Sequence, residues 1–139
     1  MAMWDVDLTT RMGAETATRM GSNAAFMFAG LGVLGAVLYG FVLIKTNPAV
    51  ATGSAIGGLF EAVIGIIAGL RLRGGKGLVW GGVAAVLLLL EEILKLVQLQ
   101  LGGGIAIGIV VLVYLVNGLR GANALRQNRF ADDDADVFA

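Results

Sequence analysis

Long apolar runs separated by brief polar clusters organise this chain. The stretch from Asn23 to Ile44 holds no ionisable side chain, and Thr52 to Leu70 holds one, Glu61. Leu78 to Gln98 carries Glu91, Glu92 and Lys95 in its second half. Gly104 to Leu119 is Ile, Val, Leu, Ala and Gly apart from Tyr114 and Asn117. A helix needs about 20 apolar residues to cross a hydrocarbon core roughly 30 Å thick. None of the runs alternates with the period of two that a barrel strand requires. Lipid offers backbone groups no partner, so their bonds must close within the segment. The pattern predicts an all-α integral membrane protein with four transmembrane helices, at 23–44, 52–70, 78–98 and 104–119.

The links between the runs are Lys45 to Ala51 with the only proline, Pro48; Arg71 to Gly77; and Leu99 to Gly103. Glycine and proline punctuate helices here as they do in water. Links this short predict two antiparallel hairpins within one transmembrane domain, 23–120. Residues 1–22 are an N-terminal cytoplasmic or interfacial amphipathic arm, in which Trp4, Val6, Leu8 and Met12 alternate with Asp5, Asp7 and Arg11. Trp4 at the headgroup level of an interfacial helix is one reading, and a solvated arm is the other. Residues 121–139 form a cytoplasmic tail ending in Asp132, Asp133, Asp134 and Asp136. That tail reads as a solubilising segment or as a dock for a cationic partner.

Orientation follows from the placement of Lys and Arg. Arg11, Arg19, Arg71, Arg73, Lys76, Arg120, Arg126 and Arg129 lie on the side of the termini, against Lys45 on the other. Both termini are therefore expected in the cytoplasm. The polar start of the chain lacks the layout of a cleaved leader. The 139 residues are 58% hydrophobic and 14% charged, with net charge zero and no Cys or His. This composition leaves no thiolate or imidazole chemistry and no basic field for a nucleic acid. No nucleophile elbow, phosphate loop or carboxylate metal motif is present. Neither an enzyme nor a resident cofactor or metal is expected. The Gly/Ala/Val-rich composition, without organelle signals, points to a bacterial inner membrane.

Small residues recur at three- or four-residue spacing on the first two spans. On span one these are Ala25, Ala29, Gly32, Ala36 and Gly40; on span two they are Gly58, Ala62, Gly65 and Gly69. Such spacing puts each set on one helix face. A face of this kind lets another backbone approach closely, within the chain or in a second subunit. The ionisable residues are the other candidates. Glu61 sits near the middle of span two, where a charge costs about 2.5–3.5 kcal/mol on insertion scales. Glu91 and Lys95 are spaced to pair along one helix, and Glu92 and Gln98 extend the polar stripe. The stripe is either an interfacial helix end with a local ion pair or, turned inward toward Glu61, a proton- or cation-handling cluster.

A shift of 49 positions lays Gly69-Leu70-Arg71 on Gly118-Leu119-Arg120, which suggests a duplicated hairpin. The plan of four short spans resembles the small multidrug-resistance transporters, but their essential carboxylate lies in a first span that here has none. The turn Lys45-Thr46-Asn47-Pro48 followed by Glu61 resembles the rotor-ring subunit of ATP synthases. It departs in the short distance from Pro48 to Glu61, in two additional spans and in the side on which the turn lies. No residue roles carry over from either family.

Two functions remain. The first is helix–helix association, as an accessory or structural subunit of a larger membrane complex or as a homo-oligomer. Its partners would be the lipid bilayer and other subunits or copies of itself. The second is a small proton- or cation-coupled transporter or channel with Glu61 as the essential carboxylate.

Overall fold

The computed structural model describes residues 5–99, 102–128 and 130. Among these are four helices and no strand: α1 (Arg11–Leu43), α2 (Pro48–Arg73), α3 (Leu78–Val97) and α4 (Gly103–Gln127). Three of them, α1, α2 and α4, are long and apolar enough to cross a membrane. The fourth, α3, has 20 residues and differs in carrying Glu91, Glu92 and Lys95. Trp4 and the acidic run Asp132 to Asp136 lie outside the described residues.

Two helices overrun the apolar stretches that predicted them. α1 begins at Arg11, not Asn23, because Thr10 caps it: its hydroxyl accepts from the Gly13 N–H at 3.1 Å. Thr9 donates from its hydroxyl and its N–H to the Asp7 carboxylate just upstream, holding that exposed carboxyl below its ordinary range. The arm expected over 1–22 is thus helical from Arg11 onward. Its small residues Ala14, Ala17, Thr18, Gly21 and Ser22 are buried. At 33 residues α1 is about 50 Å long by the rise of an α-helix, well beyond a hydrocarbon core. Likewise α4 continues through Arg120 to Gln127 and stops at Asn128, whose left-handed backbone (φ 50°) is a common helix terminator. Asn47 caps α2 by accepting from the Val50 N–H, with Pro48 at the first helical position, where its missing N–H costs nothing.

α1 is the hub. It packs along α2 on one side and α4 on the other, while α3 closes the bundle against α2 and α4 and scarcely meets α1. The α1–α2 seam is made of the small residues singled out in the sequence. Gly32 lies against Gly58 and Ala62, Gly58 against Ala36, and Gly65 against Ala25 and Ala29. Gly69 lies under the Phe26 ring, and Ser22 Oγ donates to the Gly69 carbonyl at 2.8 Å. Gly40 has open space around it and takes no part in the seam. A second seam was not anticipated. Gly21 meets Gly118, and Gly121 meets Ala14 and Ala17, joining α1 to α4 with backbones almost touching. Between the helices lies a core that includes Phe28, Ile64, Leu72, Leu88, Val111 and Leu115.

The contacts do not repeat with the 49-residue shift. Gly32 faces Gly58, yet its counterpart Gly81 faces Leu119, about three helical turns from Ile107, the counterpart of Gly58.

Gly65 and Gly53 separate seam from surface. A Cβ on Gly65 would stand 2.8 Å from the Ala25 carbonyl oxygen and 2.9 Å from the Ala29 nitrogen, whereas Gly53 has open space. Gly65→Ala is expected to lower stability by about 1–3 kcal/mol, the usual cost of overpacking, and Gly53→Ala to leave it unchanged or slightly raised. Unfolding of the reconstituted protein by a denaturing detergent, followed by circular dichroism, measures both.

Candidate functional site

The polar residues of α2 and α3 converge on one cavity. Its volume is about 260 Å³, and Glu61, Glu91, Glu92 and Lys95 line it with Tyr39 and Ser54. The helical period puts them there. On α3 the face that buries Gly81, Ala84, Ala85 and Leu88 against the bundle continues one turn further to Glu92. The opposite face of α3 shows Val79, Val86, Leu90, Leu94 and Val97 to the outside. Glu91, Glu92 and Lys95 of the α3 stripe thus share a cavity with Glu61, while Gln98 is exposed and off its wall.

Lys95 sits between two carboxylates. Its Nζ lies 2.9 Å from Glu91 Oε1 and donates to Glu92 Oε1 at 2.8 Å. Glu61, half-buried across the cavity, feels the charges of both Glu91 and Lys95. Glu92 is the most enclosed of the four, with its side chain 5% exposed. Its Oε2 is buried and has no hydrogen-bond partner among the described residues. The carboxylate lies against the backbone of α4 at Gly108, where a Cβ would overlap Oε1 and the carboxyl carbon and stand 3.0 Å from Oε2. Three carboxylates thus share one ammonium group in a confined space. A buried charged oxygen without a donor is costly. Among the described residues no three acidic side chains stand close enough to hold one metal ion.

A second and larger cavity, about 890 Å³, opens at the end of the bundle where α1 begins, and is lined by basic residues from three helices and a loop. The two cavities are separated along every helix by the core. On α1, for instance, the larger reaches Arg19 and the smaller begins at Phe28, about 13 Å away by helical rise. Near the larger cavity, Asn117 is buried and accepts from Arg120 at 3.3 Å. Both residues belong to α4, so this bond lies within one helix.

The chain matches no family model, no curated protein and no solved structure.

The sequence singled out Glu61 for its lack of charged neighbours on its own helix, but the more confined carboxylate is Glu92. The available signal was the small-residue face of α3, which points at Glu92 and not Glu91. Gly108 also went unnoticed, since one glycine among many on α4 has no local signature. Its contact is testable by a double-mutant cycle on stability. Gly108→Ala is expected to be destabilising in the native background and close to neutral once Glu92→Ala has made room. A coupling of about 1 kcal/mol or more is expected for groups in direct contact. Simple additivity would mean that Glu92 does not rest on α4.

Proposed function

We propose that this chain is a small proton-handling membrane protein, a proton-coupled transporter or channel component whose working groups are Glu61, Glu91, Glu92 and Lys95. The observation that carries the reading is Glu92: a buried carboxylate with an unpartnered oxygen, in a cavity shared with two more carboxylates and a single lysine. Intramembrane ionisable residues that face a cavity and pair with one another are the usual form of proton relays. Protons fit better than a metal ion, because the three carboxylates are too dispersed to surround one. Glu61 and Glu92 accept and release the proton, and the Lys95 ammonium keeps the cavity from accumulating uncompensated negative charge.

In this reading all four helices cross the bilayer as two antiparallel hairpins. The inward turn of Glu92 and Lys95 lets α3 do so, since its outer face is apolar. Both termini lie in the cytoplasm, on the side of the basic cavity, and the host is a bacterial inner membrane. A second reading, association with copies of itself or with other subunits, is favoured by Gly53 and Gly57. They lie one turn apart on α2 and are exposed, Gly57 also on the wall of the smaller cavity, and their spacing suits a close helix crossing.

Proteoliposomes loaded with a pH-sensitive dye test the first reading. The native chain is expected to dissipate an imposed pH gradient. Glu61→Gln and Glu92→Gln should each slow this about a hundredfold, the lower range for losing a positioned proton-transfer group. Equal rates in the native chain and both variants would remove the proton reading. A heteromeric particle in lipid-preserving extraction, without flux, would leave the association reading in its place.

A further inference from the structure

We propose that the large cavity at the α1 start of the bundle is a binding site for the phosphate headgroup of an anionic phospholipid. Arg19 comes from α1, Arg71 and Arg73 from the end of α2, Lys76 from the α2–α3 loop and Arg126 from α4. These five cations have no ion pair among the described residues, where the ion pairs are Arg11 with Glu15 and Lys95 with Glu91 and Glu92. Glu15 is the one acidic residue on the cavity wall. Loops that merely obey the positive-inside rule need no common geometry. Here segments far apart in sequence direct their basic residues around one hollow of about 890 Å³, within the size range of small-molecule sites. Guanidinium groups match phosphate oxygens in paired fashion, and basic pockets between helices on the cytoplasmic side suit lipid headgroups.

The wall also has an apolar side. Leu78, Val79 and Trp80, the first turn of α3, line the cavity together with Leu125. Val79 is 75% exposed and Trp80 38% exposed, facing the surroundings as well as the hollow. This turn is where apolar α3 begins, and tryptophan favours membrane interfaces. A free phosphate ion needs only the cations. A lipid uses both parts, with its phosphate among the arginines and the start of its acyl chains along Val79 and Trp80.

The chain has two tryptophans, so Trp4→Phe leaves Trp80 as the sole reporter. The full chain is placed in phosphatidylcholine nanodiscs containing a minor fraction of acyl-brominated lipid, either phosphatidylglycerol or phosphatidylcholine. The brominated anionic lipid is expected to quench Trp80 at about a fivefold lower fraction, the advantage of roughly one well-placed basic contact. Arg71→Gln, Arg73→Gln and Arg126→Gln together should abolish that preference, and the same three positions changed to Lys should retain most of it. Arg120→Gln, at the same end of the bundle but off the cavity wall, should leave it intact. Equal quenching by the two lipids overturns the proposal. An equal loss on Arg120→Gln also overturns it, by assigning the preference to the general surface field. Erasure of the preference by 50 mM inorganic phosphate, at a salt strength matched with chloride, would assign the site to a free oxyanion instead.

Discussion

In a hydrocarbon surround the burial of leucine gains little, so helices associate where side chains are small enough for backbones to meet. α1 meets this condition on two sides. One face brings Ala25, Ala29, Gly32 and Ala36 against α2, and the adjoining face brings Ala14, Ala17 and Gly21 against α4. The Ser22 hydroxyl adds a hydrogen bond to the α2 backbone at the point where the two seams meet. With α2 and α4 fixed on either side of α1, α3 has only the space opposite. The bulky residues Phe28, Leu88 and Leu115 fill the centre that this leaves.

The same constraint makes room for the polar groups. α3 stands off from α1, and beyond Leu88 the residues that could fill the gap are glycines: Gly35, Gly57, Gly58, Gly104 and Gly108 all line the smaller cavity. Small residues that serve close packing at the middle of the bundle leave a hollow near its end. Long charged side chains then reach into it. Glu92 lies against the bare backbone of α4 at Gly108, so a methyl group there would oblige the end of the Glu92 side chain to move.

Helical character and the approximate segments were legible because apolar run length is a direct record of burial in lipid or core. Helix ends were less so. The run-length signal stops at Asn23 and Leu119, while the helices continue on local terms: the Thr10 cap at one end and the left-handed Asn128 at the other. The α1–α2 seam could be read from spacing, since both faces consist of small residues. The α1–α4 seam could not, because Ala14, Ala17 and Gly21 precede the apolar stretch and resemble an ordinary polar arm. Glu61, Glu91, Glu92 and Lys95 were all visible as charges within apolar runs. Which of them is most enclosed depends on the rotation of α3, and that is set by its contacts with α2 and α4.

The core between the two cavities also bears on kinetics. Phe28, Leu88 and Leu115 are essentially inaccessible, and a buried layer about 13 Å deep, with Ser22 and Asn117 as its polar residues, offers few partners for a continuous file of water. Grotthuss hopping needs such a file, so in this conformation a proton reaching Glu92 stops there. Passage across the bundle would require the layer to part. The speed would then be set by helix rearrangement, on the microsecond-to-millisecond scale of such motions, and would saturate with driving force as a carrier does, unlike the linear current of an open pore.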